Sequence, residues 1–186
     1  LMLSTMLFWT WKTTEVQQLL EWMSEYNRGK PAEAKLQYMG VDCQANLNNA
    51  PLVYDYLQFA DMPFLSWANT LLEECKTATL YNFKFYTEES FTDYIKKLSS
   101  LQDSISHYKT ALTVNKTEQD YLLLVHLVEV IRQTSEVSFN YTRHSADNNR
   151  DRYMAENVMW LREYFTAAKV VIWAHNAHIA NDRDFS

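Results

Sequence analysis

Two glycines, Gly29 and Gly40, stand in a chain of 186 residues, where average usage of about 7% would place roughly a dozen. Prolines number only three. Glycine is the residue that takes positive φ without steric cost, so a chain this poor in it has few tight turns. A many-turned β-sandwich is therefore disfavoured. Function classes fall with it. Neither a G-x-x-x-x-G-K-[ST] phosphate loop nor a G-x-G-x-x-G dinucleotide turn can be written in this sequence, nor can a G-x-S-x-G nucleophile elbow. A helix-rich chain remains.

Aromatic residues make up 15% of the chain, enough large side chains to fill a substantial core. Net charge is −6, from 17 basic and 23 acidic residues, and no Lys/Arg run occurs. A nucleic-acid binder shows a basic stripe instead. Cys43 and Cys75 are too few for a disulfide scaffold and read as buried thiols. The opening run 1–11 is apolar but too short to span a membrane, and it lacks the basic segment and cleavage site of a signal peptide. With no membrane segment, the expected compartment is the cytoplasm, and any export signal would lie upstream. The first residue is Leu1 and the last six are a charged stub, so the chain is expected to be part of a longer protein.

Helical signals dominate. Thr14 with Gln17 fits a capping box, and Val16, Leu19, Leu20, Trp22 and Met23 follow at helical spacing. Gly29, with Pro31 after it, suits a left-handed helix stop. Pro51 and Pro63 each open a helix, the second with Phe64, Trp67, Ala68, Leu71, Leu72 and Cys75 on one face. From Thr87 a stripe of Phe91, Tyr94, Ile95, Leu98, Leu101 or Gln102, Ile105, Tyr108 and Leu112 predicts one long amphipathic helix. A second long helix from about Glu118 carries Leu122, Val125, Val128 and Ile131, and a last one covers roughly 150–167. Two segments read differently. Residues 36–41 alternate like a short strand, and 169–174 (Lys-Val-Val-Ile-Trp-Ala) form an apolar, β-branched run suited to a buried parallel strand. The expected fold class is thus α/β and helix-dominated, with few parallel strands flanking a large helical block. Its parts are residues 1–48 as one portion of the α/β core, 49–167 as the helical block and 168–186 as the second core portion. Two strands make no stable sheet, so a larger fold is expected.

Polar groups at the carboxyl end of a buried parallel strand lie where open α/β sheets hold ligands. The second run ends in His175-Asn176-Ala177-His178. Histidine titrates near neutral pH, so one ring can accept a proton from water while the other polarises a carbonyl or orients the first. The alternatives are a structural pair, or a metal site, although H-x-x-H lacks the Glu of H-E-x-x-H and has no Cys nearby. Asp42 ends the first segment and would share a sheet rim with His175, there to orient an imidazole, bind a substrate hydroxyl or cap the next turn. Asp151 in a first helical turn suits the helix dipole, and Arg150 can pair with a carboxylate. His107, His126 and His144 read as surface or packed residues.

Arg150-Asp151-x-x-Met154-Ala155-x-Asn157, followed by Val170-Val171-Ile172-Trp173-Ala174-His175-Asn176-Ala177-His178, resembles the erythromycin esterase family. Trp11-Lys12, Glu15-Val16, Trp22-Met23, Tyr26-Asn27 and the 38–42 stretch Tyr-Met-Gly-Val-Asp match in order as well. The resemblance implies a metal-independent hydrolase without cofactor, in which His and Glu activate water against an ester or a macrolide lactone. A small-molecule ester or macrolide is then the partner, and nucleic acid and membrane are not. It makes His175 and His178 the candidate catalytic residues, His175 to orient or polarise and His178 to support it. Asp42, Arg150 and Asn176 are candidate substrate-binding residues that shape the pocket. The family's Gly-Glu-x-x-His-Gly element, source of its Glu and favoured general base, is absent from these 186 residues, so they are expected to be inactive alone. The other reading is a non-catalytic binding protein of the same fold, in a polysaccharide or partner-binding role. A Gly-Glu-x-x-His-Gly element upstream would separate the two.

Overall fold

A computed structural model describes residues 9–76, 82–143, 149–166, 169–175 and 178. The chain divides into two compact units, Leu1–Gly40 and Val41–Ser186. In the first, helix α1 (Thr14–Asn27) is capped by Thr13, one residue earlier than the sequence pattern indicates, its hydroxyl accepting the Val16 N–H at 3.4 Å. Gly29 does take the left-handed conformation, with φ of 71°. Beyond it, the Asn27 side chain binds the Leu36 backbone twice, donating to its carbonyl at 2.9 Å and accepting its N–H at 2.7 Å.

The second unit is helical: α2 (Asn49–Phe59), α3 (Leu65–Lys76), α4 (Glu88–His107), the single turn α5 (Lys109–Leu112), α6 (Glu118–Thr142) and α7 (Asn149–Tyr164). Helix α6 is the axis: α2, α4, α7 and the 3-10 turn Asn82–Phe85 pack on it, and α3 packs on α2. Two boxes start the long helices. Thr87 exchanges bonds with Ser90, and Thr117 with Asp120, satisfying backbone donors that a helix start leaves free. The stripe read from Phe91 to Leu112 is real, with Tyr94, Leu98, Leu101, Ile105 and Leu112 buried, but Tyr108 interrupts it and closes α4. On α6 the inward set is Tyr121, Leu124, Val128 and Ile131, with Leu122 40% exposed. At the centre, the rings of Phe91 and Phe139 stack 3.7 Å apart. The Tyr94 hydroxyl lies 3.0 Å from the Ser135 hydroxyl and 3.1 Å from Cys75 Sγ. Where a turn without glycine needs positive φ, Asp61 supplies it between α2 and α3 (φ 46°) and Thr166 after α7 (φ 29°).

The two expected strands do not form. Neither 36–41 nor 169–174 joins a strand ladder among the described residues, and the α/β expectation is corrected to a helix-dominated fold. The causes differ. Asn27 occupies the backbone groups of Leu36 with which a ladder would begin. At 170–173 the apolar side chains lie outside, Val171 94% and Trp173 58% exposed, whereas a parallel strand needs a neighbour and cover on both faces. No helix among the described residues is long and apolar enough to cross a membrane.

The α6–α7 seam carries a titratable ring. His126 stacks on Trp160 at 3.7 Å, and Trp160 stacks on Tyr164 at 4.6 Å. Burial pulls the His126 pKa down from 6.5 to about 4, against a smaller opposing effect of Glu129. Between those values the unfolded chain holds a proton that the folded chain does not. Stability is therefore expected to fall as pH drops from about 6.5 to about 4, level off below, and owe nothing to this ring above 6.5. Because the ring is partly exposed, the loss should be about 1–2 kcal/mol rather than the ~3 kcal/mol of a fully enclosed one. Urea unfolding from pH 4 to 8 checks it: His126→Gln must flatten that part of the slope relative to wild type. In the core, Leu98→Ala is expected to cost about 2–5 kcal/mol in the same assay.

Candidate functional site

The first turn of α7 gathers most of the residues singled out in the sequence. Arg150 grips Asp42 with a fork, Nε to Oδ1 at 2.9 Å and Nη2 to Oδ2 at 2.7 Å. The same Asp42 Oδ1 accepts the Cys43 N–H at 2.8 Å. The next residue, Asp151, meets His178, Oδ1 to Nδ1 at 2.6 Å. The His178 N–H donates to the His175 carbonyl at 2.8 Å, closing a turn across the histidine pair. Asp42 and Arg150 are thus paired, and His178 is tied to the neighbouring Asp151, with His175 joined through its backbone carbonyl. A helix start joins them, in place of the expected sheet rim. Asn176 lies outside the described residues, as does His144.

A helical stripe explains the grip. Arg150, Tyr153 and Asn157 follow at i, i+3 and i+7, the spacing of one helix face. Arg150 takes Asp42, and Tyr153 packs with Cys43 and Val137. Asn157, 2% exposed, donates to the Val41 carbonyl at 3.0 Å and to Gln133 Oε1 at 2.9 Å. Farther along, Asn46 donates to the Ile131 carbonyl at 3.2 Å. Segment 41–46 is therefore fastened by side chains to α6 and α7. The Tyr153 hydroxyl bonds Glu136, and Arg132 holds Glu136 and Glu129 together. Buried polar groups of this kind persist when their partners are supplied.

Electrostatics limit the chemistry. Burial, helped by the Asp42 charge, pushes the Cys43 thiol up to about 12, and burial does the same to Cys75. Both are buried thiols, an environment that disfavours the thiolate a cysteine nucleophile needs. For Arg150, burial works against its charge and the Asp42 carboxylate more than reverses this, leaving its pKa raised. With both Asp42 oxygens engaged, Asp42 and Arg150 act as one fixed, paired wall. Of the two imidazoles, His175 is exposed, and the His178 side chain is 21% exposed. An open groove of about 610 Å³ runs between α4 and α6. It shares Glu136 with the network, but none of Asp42, Arg150, Asp151, His175 or His178 lines it.

Reading along the chain misses two partners. Asp151 has a sufficient local explanation in the helix dipole, and its contact with His178 spans 27 residues. Asn157 is buried, yet polar residues at helical spacing carry no hydrophobic signal; the i, i+3, i+7 run from Arg150 is the pattern that marks it. His126 is packed against Trp160 and His107 lies edge-on to Tyr108 at 4.8 Å, both away from this cluster. Set against known proteins, residues 2–185 match the family model described as Erythromycin esterase. Neither a curated protein nor a solved structure matches the chain.

The Asp42–Arg150 fork is bidentate and charge-assisted. Asp42→Ala and Arg150→Ala are each expected to destabilise the protein, with a coupling of about 1–3 kcal/mol in a double-mutant cycle by chemical denaturation. Strictly additive losses would show that the fork holds nothing.

Proposed function

We propose ester hydrolysis, with a macrolide lactone or simpler ester as substrate, for this chain, which belongs to the erythromycin esterase family. The observation that carries the reading is the histidine turn fastened to the start of α7, where His178 meets Asp151 and Asp42 meets Arg150. The reaction needs a water made nucleophilic, a polarised carbonyl and a proton for the departing alcohol. His175, exposed at the mouth of the turn, polarises the carbonyl. His178 supports the same centre, and the paired Asp42 and Arg150 shape its wall. Asn176, between the two histidines, contributes to substrate binding. The resemblance supplies the rest: a Glu and a His from a Gly-Glu-x-x-His-Gly element activate the water, without metal.

In this scheme water adds to the acyl carbon as the general base takes its proton, and the carbonyl π pair moves onto oxygen. Collapse restores the carbonyl and breaks the bond to the alkoxy oxygen, which leaves as the alcohol once protonated. An exposed imidazole pair is suited to the polar end of such a centre. Macrolides offer a bulky apolar ring beside the reacting ester, and the exposed Trp173 and Ile172 next to His175 provide apolar surface for it.

The natural full-length protein tests the reading against a panel of macrolides and simple esters. His175→Asn is expected to abolish hydrolysis while circular dichroism and the melting temperature stay at wild-type values. Turnover at the wild-type rate by that variant would remove His175 from the chemistry.

A further inference from the structure

We propose that Asp151 is the positioning residue of His178 and makes it the proton donor to the leaving alcohol. This rests on the hydrolase reading above. A carboxylate oxygen has no hydrogen to give, so the 2.6 Å contact to Nδ1 requires the ring to carry hydrogen on Nδ1. That fixes the ring's orientation and leaves Nε2 as the atom that gains and loses the working proton. The carboxylate balances the ring's charge whenever Nε2 is protonated.

Three features suit Asp151 to this task. It stands in the first turn of a 16-residue helix, where the helix dipole favours a negative charge and the backbone is rigid. Its neighbour Arg150 directs its fork to Asp42, so the strongest nearby cation is engaged with another carboxylate. The His178 N–H is held by the His175 carbonyl at 2.8 Å. The ring is thus fixed at two points, backbone and Nδ1. His175 and His178 then divide the labour: His175 faces the carbonyl oxygen, and His178 Nε2 faces the alkoxy oxygen.

The step balances. When the tetrahedral adduct collapses, the bond from acyl carbon to alkoxy oxygen breaks and its electron pair stays on that oxygen. The oxygen takes the proton from His178 Nε2, leaving a neutral ring with hydrogen on Nδ1. The general base passes the proton taken from water back to solvent, from which Nε2 is recharged. Ester and water become acid and alcohol.

A proton donor to the leaving group matters in proportion to how poor that group is. The test compares an alkyl ester with a nitrophenyl ester of the same acid, on natural full-length protein carrying Asp151→Asn. The expected result is a kcat loss of about 10²-fold or more on the alkyl ester, against a few-fold on the nitrophenyl ester. An asparagine in place of Asp151 can donate to Nδ1 and invert the tautomer, so the 15N spectrum of His178 should move from Nδ1-protonated to Nε2-protonated. His178→Gln, altering a side chain outside the core, must reproduce the same leaving-group pattern, and the double variant must lose no more than either single one. Equal losses on both esters, or wild-type rates on both, would overturn the role of Asp151 and leave the hydrolase reading standing. No turnover of any ester by the wild-type protein would overturn both.

Discussion

Everything in the larger unit leans on α6. Its 25 residues form the surface on which α2, α4 and α7 are packed, and the burial of its inward side chains is the main term that orders them. The helix changes character along its length. Its first half buries Tyr121, Leu124, Val128 and Ile131; its second half buries Gln133, Thr134, Ser135 and Ser138 beside Val137 and Phe139. Apolar packing fixes the position of the bundle, and the polar stretch then offers hydrogen bonds to what lies against it. Gln133 receives Asn157, and the Ile131 carbonyl receives Asn46.

That second half is why irregular chain can be held beside the candidate centre. Segment 41–46 lies outside any helix, so its buried polar groups need partners. Side chains of α7 supply them: Asn157 binds the Val41 carbonyl and Arg150 binds the adjoining carboxylate. A loop secured in this way is specific, because each bond needs a particular side chain at a particular place. It draws on both helices, since the α7 grips are joined by the bond from Asn46 to the Ile131 carbonyl of α6.

Local chemistry was the legible part of the sequence. Thr87 and Thr117 announce helix starts, Gly29 a stop, and the stripe from Tyr94 to Ile105 a buried face; each is decided within a few residues of itself. The family motif around Arg150 and His175 was legible too, as a resemblance. The strands were not, because 169–174 has the composition of a buried strand while burial depends on neighbours that composition does not specify. On α6 Val128 and Ile131 are buried as the pattern predicts, but its first two positions fall on Leu122 and Val125 where the structure buries Tyr121 and Leu124, since several apolar residues in a row leave the phase of the helix open. Asp151 carries only a local signal, its place in a first helical turn. Its contact with His178 joins positions 27 apart, and no periodicity reaches that far.

The run at 170–173 has a consequence for handling the protein. Val170, Val171, Ile172 and Trp173 are all exposed, and an exposed β-branched apolar stretch is prone to strand addition between molecules. What opposes it is the net charge of −6, which keeps copies apart through a repulsion that salt screens over about 10 Å at 0.1 M. Self-association through this stretch, which leads into the histidines, is therefore expected to grow as salt rises.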